Sequence, residues 1–109
     1  MAVSIEQSPV RVVITYHAAP GRRAEVAALL AQLGGAMEAL LLNRGRRTVS
    51  EDPTRPGRFT ETLTFVSESA RISFDAFHLR SRAVKAINAS LEDLLEPERC
   101  DFQVFRDVV

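Results

Sequence analysis

Cysteine is nearly missing from this sequence: Cys100 stands alone among 109 residues. One thiol excludes an internal disulfide and suits a reducing cytosol, so a cytoplasmic protein is expected. No histidine lies near it along the chain, which argues against a catalytic thiol. An excess of either charge is missing too, because 14 Lys and Arg meet 14 Asp and Glu. Such neutrality argues against nucleic acid or an anionic membrane as the main partner. It also does little to prevent self-association. No apolar run approaches the roughly 20 residues of a membrane span. The start lacks the basic head and apolar stretch of a signal peptide. There is no Gly-rich phosphate loop, dinucleotide fingerprint, Cys pair or His-Glu-x-x-His. No repeat of solenoid length occurs.

What is present reads as one domain. Apolar residues make up 46% of the chain, a globular proportion, and the length allows a core that needs no staples. We expect a polar tail over residues 1–9 and a single domain over 10–109. The clearest signal is strict alternation over 57–66. Phe59, Glu61, Leu63 and Phe65 point one way, and Thr60, Thr62, Thr64 and Val66 the other. Period two with Thr, Phe and Val is a strand. A near-continuous β-branched run over 10–17 is a second, buried strand.

Between these two strands, Ala19-Pro20-Gly21 breaks the chain and a long helix follows over about 22–42. Its stripe is Val26, Leu29, Leu30, Leu33, Met37, Leu40 and Leu41. Gly34 and Gly35 inside it suggest a kink or a close contact. Residues 46–51 form a short polar edge strand, joined to the 57–66 strand by a turn cluster. After Ser67 the stretch 70–79 is ambiguous between helix and strand. A helix is clear over 81–96, with Val84, Ile87, Leu91, Leu94 and Leu95 as its stripe and Pro97 as its end. A last strand occupies 102–109. The order β-α-β-β-α-β is the ferredoxin-like pattern, an α+β fold with an antiparallel sheet and both helical layers on one face. By parity Ile14, Tyr16, Phe59, Glu61 and Leu63 lie under the helices. Val13, Thr15, His17 and the threonines lie on a bare face that wants a partner.

Glu61 is the odd residue of the central strand, since a carboxylate on a core face is costly unless paired or protonated. His78 follows Phe77 where the second helical region divides. A carboxylate and an imidazole in an apolar cleft can share a proton, and either can serve as a general base. The plainer alternative is a structural hydrogen bond, or Glu61 reaching an arginine. Tyr16, the only tyrosine, shares the Glu61 face, and we expect Tyr16, Phe59, Leu63 and Phe74 to line a pocket with Glu61 and His78. A two-His, one-carboxylate metal site from His17, His78 and Glu61 is opposed by parity, because His17 faces away. Arg44, Arg46, Arg47, Arg55 and Arg58 gather around the hairpin, as an anion attractor or as a solvated edge. Glu92, Asp93, Glu96, Glu98 and Asp101 form an acidic counterpart that suits a subunit boundary.

These residues resemble the antibiotic-biosynthesis monooxygenase-like family of dimeric α/β barrels. The resemblance covers residues 10–109. It rests on Ala19-Pro20-Gly21 opening the first helix, Asp52-Pro53 with Phe59-x-Glu61, and His78-x-x-Ser81 before the last helix. It implies a ferredoxin-like chain whose sheet packs face to face with a second copy. It also implies oxygenation of polyphenols or quinols without metal or flavin: the protein deprotonates an electron-rich aromatic, whose anion reacts with oxygen. Other members degrade haem, and many have no known reaction. Two departures bear on chemistry. Leu63 stands where members often carry Trp, and Ala83 where a second His often follows; the chain has no Trp at all, which argues against haem.

Two readings remain. One is a small cofactor-independent monooxygenase acting on an aromatic or quinol-type molecule, with Glu61 and His78 as proton handlers. The other is a non-catalytic dimeric module that binds a small apolar ligand or only assembles.

Overall fold

The computed structural model describes residues 8–97 and 101–107. Strand β1 is Val10–His17, helix α1 Arg23–Leu41, strand β2 Gly45–Glu51 and strand β3 Arg58–Phe65. Helices α2, Glu68–His78, and α3, Arg82–Glu92, follow, and strand β4 is Asp101–Arg106. All neighbouring strands are antiparallel, in the order β2-β3-β1-β4. The first and third strands are therefore central, and the ferredoxin-like arrangement expected from the sequence is the one formed. Cys100 and residues 1–7 of the expected tail lie outside the described residues, as does the end of the last strand beyond Asp107.

The alternation in β3 translates directly into burial. Phe59, Glu61, Leu63 and Phe65 are buried beneath the helices, and the threonines between them are not. In β1, Val10, Val12 and Tyr16 join the same core. Helix α1 lays Val26, Leu30, Leu33, Met37 and Leu41 onto that surface, the i, i+3, i+4 stripe of an amphipathic helix. By length and mean hydropathy, 1.4, α1 is long and apolar enough to cross a membrane, although its sequence contains no unbroken apolar run of that length. Its buried stripe marks it as the core helix of this sheet.

The ambiguous stretch after Ser67 is helical. The Ser67 hydroxyl accepts from the Ala70 amide at 3.1 Å, and Ser81 caps α3 by accepting from Val84 at 3.2 Å. Phe74 is the buried side chain of α2, packed on Phe65 with ring centroids 5.1 Å apart. Helix α3 is shorter than the hydrophobic pattern suggests and ends at Glu92. Leu94 instead closes the helix in a turn, its N–H donating to Leu91 O at 2.9 Å, and Leu95 bridges Ala18 just past the end of β1; here Ala19 N–H donates to Leu94 O at 2.8 Å, and Glu96 N–H to His17 O at 2.8 Å. The leucines extend the stripe in sequence, but backbone pairing takes the segment out of the helix.

Strand β4 is the exception to the layering. Its residues are exposed throughout, including Phe102 and Val104, which by register share the inner face with Ile14 and Val12. The outer face of the sheet carries Val13, Thr15 and Phe105 beside Thr60, Thr62 and Thr64.

Candidate functional site

Antiparallel register decides what meets Glu61. Its direct partners are Ile14 on β1 and Val49 on β2. Tyr16 pairs with Phe59, and Arg47 with Leu63, so both are diagonal neighbours of Glu61. Long side chains reach across that diagonal. The Tyr16 hydroxyl donates to Glu61 Oε1 at 2.9 Å, and Arg47 Nε donates to Oε2 in a tight ion pair. Glu61 is fully buried, and Arg47 is nearly so. A second arm of the guanidinium, Nη2, donates to the Leu30 carbonyl of α1 at 2.7 Å. A buried charge that has an opposite charge and further hydrogen bonds is the tolerable form of an otherwise costly burial.

This corrects the reading of Arg47 as part of a solvated or substrate-attracting arginine edge. Its parity within β2 turns it inward, opposite Leu63, while Arg46 turns out. The passage of Arg47 against α1 also explains Gly34: a Cβ there would stand 2.6 Å from Arg47 Nη1. The expected close contact is this one, and α1 continues unbroken through both glycines.

Beside the Glu61 group lies a cavity of about 120 Å³ between the sheet and the three helices. Tyr16, Glu61, Leu63, Phe74 and His78 all line it. Phe59, the sixth residue expected there, does not. It sits under the first half of α1 with Ala27 and Leu30, whereas the cavity opens under the second half, at Leu33 and Met37. His17, whose partner on β3 is Arg58, is on the outer face and away from the site. Among the described residues no cluster of His, Cys, Asp or Glu has the makings of a metal site.

His78 ends α2 with its imidazole stacked on Phe74, centroids 5.1 Å apart and planes 27° from parallel. The residue is half-buried, and its imidazole makes no hydrogen bond among the described residues. Burial lowers its pKa below the ordinary 6.5, against the opposing pull of the Asp75 and Glu61 carboxylates. The site thus presents a neutral, uncommitted imidazole near neutral pH, next to a carboxylate whose negative charge favours its protonated form.

Three polar residues at the cavity were not among those singled out from the sequence. Arg71 and Asp75, one turn apart on α2, bond each other at 2.7 Å, and Arg71 also pairs with Glu68. Asn88 faces the cavity from α3. The sequence did hold a signal for it: Asn88 sits in the stripe Val84, Ile87, Leu91, a polar residue at an apolar position just as Glu61 is in β3.

No protein-family profile matches this chain, and no curated protein does. Solved structures match its fold. A Caulobacter crescentus CB15 protein, provisionally named an antibiotic biosynthesis monooxygenase, superposes with a TM-score of 0.77 at 16% identity, covering 95% of this chain and 93% of its own. A variant of SnoaB, a cofactor-independent oxygenase from Streptomyces nogalater, gives 0.72 at 14% identity over 94% and 95%. Rv0793 from Mycobacterium tuberculosis gives 0.73 at 19% identity over 94% and 97%. The chain has the fold of antibiotic-biosynthesis monooxygenase-like proteins, the group its sequence resembles.

Proposed function

We propose that the protein is a cofactor-independent monooxygenase for a small quinol-type aromatic, with His78 as the general base. The observation that carries this reading is the uncommitted His78 imidazole at an apolar, aromatic-walled cavity beside Glu61. His78 takes the proton of a bound phenolic hydroxyl. Glu61 lies near enough to favour the imidazolium that results, much as a buried carboxylate does for a catalytic histidine. The electron-rich phenolate reacts with oxygen at a ring carbon. One oxygen atom stays there as a carbonyl and the other leaves as water; the quinol supplies the two electrons and two hydrogens that water formation needs. Tyr16 is held by Glu61, and Leu63 and Phe74 form apolar wall. The neighbour SnoaB, itself called a cofactor-independent oxygenase, supports the reaction class.

One observation favours the binding-module alternative. Both Glu61 oxygens are already engaged, by Tyr16 and by Arg47, so the carboxylate is better suited to holding its neighbours than to taking a proton from a ligand. Oxygen uptake with a hydroquinone separates the two. The oxygenase reading expects uptake that falls about 10²–10⁴-fold in His78→Ala, the usual weight of one positioned acid–base group. Absence of uptake by the parent protein across quinols that bind it would leave the module.

Assembly as a homodimer through the outer sheet face belongs to the same proposal. Val13, Phe105 and Val66 on that face have no helix over them, and Val66 and Phe105 are 58% and 43% exposed. Sedimentation at micromolar concentration should give twice the chain mass, and a monomer would remove the barrel. The cytosol remains the compartment we propose.

A further inference from the structure

We propose that the cavity is a one-ring site. It accepts a monocyclic hydroquinone or phenol, excludes fused polycyclic quinols, and uses the Asn88 carboxamide as a second polar anchor for the ligand's hydroxyl. This rests on reading the cavity as a substrate site.

Volume is the first ground. The space is about 120 Å³, somewhat below the roughly 150 Å³ of an engineered apolar cavity that takes up benzene. One aromatic ring fills it, and its substituents must project along the polar rim. Naphthalene- or anthracene-sized ligands would have to displace the walls. Those walls are Leu33, Met37, Phe65 and Phe74, all at most 2% exposed and packed into the main core. Close-packed interiors do not yield such space without opening voids elsewhere. Met37, unbranched and adaptable, is the residue whose truncation enlarges the site most simply.

The second ground is Asn88. Its neighbours on the α3 stripe, Val84 and Leu91, are 1% and 2% exposed, so this face of the helix turns toward the sheet. Asn88 is itself partly buried and lines the cavity, and its carboxamide makes no hydrogen bond among the described residues. A carboxamide offers both donor and acceptor, so it can bond a ligand hydroxyl either way. Arg71 and Asp75 on the same rim are engaged with each other. Asn88 and His78 are therefore the rim groups left to hold hydroxyls, one positioning the ring while the other takes the proton.

Binding is measured without oxygen, by calorimetry, with hydroquinone, naphthohydroquinone, anthrahydroquinone and p-xylene. The parent protein should bind hydroquinone and reject anthrahydroquinone. Met37→Ala should admit naphthohydroquinone. Asn88→Ala should weaken hydroquinone about tenfold and leave p-xylene unchanged. The proposal is overturned if anthrahydroquinone binds as tightly as hydroquinone, if no one-ring quinol binds, or if Asn88→Ala weakens both ligands alike. Should Met37→Ala fail to fold, the size series on the parent protein and the Asn88 comparison still decide. Because oxygen is excluded, hydroquinone binding without later oxygen uptake overturns the oxygenase reading and leaves this one standing. Oxygen uptake confined to three-ring quinols does the reverse.

Discussion

Arg47 occupies the notch that Gly34 leaves in the surface of α1. Its Nη1 lies where a Gly34 Cβ would make a 2.6 Å contact, whereas nothing stands within 4 Å of a Cβ on the adjacent Gly35. The two glycines therefore make opposite predictions. Gly35→Ala on the exposed side of α1 should stabilise the protein by about 1 kcal/mol, the helix-propensity difference. Gly34→Ala gains the same propensity but pushes on the ion pair, so it should be the less stable of the two alanine variants. Chemical denaturation of both variants checks this; equal gains would mean that Arg47 moves aside freely.

The Arg47–Glu61 pair should behave as a unit. Removing one partner of a buried pair strands the other and costs about 3–5 kcal/mol, while replacing both with apolar residues is often near neutral. Glu61→Gln is thus expected to lower stability, with Arg47's remaining access to solvent setting where in that range it falls. The double variant Arg47→Met/Glu61→Leu should be more stable than either Arg47→Met or Glu61→Leu alone. Urea melts of the full cycle give the coupling, and strict additivity would count against the pair.

His78 should make stability depend on pH. In the folded chain burial holds its pKa below 6.5, its ordinary value when unfolded. Between those two values the unfolded chain carries more protons than the folded one, so stability rises with pH across the window and falls as pH drops through it. Above 6.5 the contribution is complete, and below the folded value it levels off. Asp75 and Glu61 narrow the window by pulling the other way. His78→Phe, which keeps a ring on Phe74, should flatten this part of the profile; an unchanged slope would place the titration elsewhere.

Leu91 is 2% exposed and Leu42 is 68% exposed. Leu91→Ala should cost about 2–5 kcal/mol, and Leu42→Ala should stay within about 0.5 kcal/mol. Thermal melts that rank the two equally would mean the helix face is misplaced.

The fold was legible because two of its strands have a pattern that only one arrangement satisfies. Alternation in β3 and the β-branched run of β1 set the inner face, and with it the burial of Glu61 and the outward turn of His17. What the sequence hid was non-local or capping. Nothing in the local pattern says that Leu94 and Leu95 leave the helix, because their backbone partners, Ala19 and the β1 end, are distant in sequence. Arg47 looked like one more exposed arginine because β2 is polar on both sides. Its inward turn depends on which residue of β3 it faces. Parity alone puts Phe59 on the pocket face, and parity does not say how far along the strand a cavity extends.

The bonds that tie Ala19 to Leu94 and Glu96 to His17 restrict how anything enters the site. They fasten the C-terminal end of α3 to a central strand, while Ser81 caps its beginning hard against the end of α2. Tied to the end of β1, the C-terminal end of α3 is anchored against swinging off the sheet. Side-chain rotation at His78 and Phe102, both on the cavity wall, is a way inward that leaves this tie intact. Admission becomes a matter of torsion angles on a fast timescale, with the backbone frame standing still.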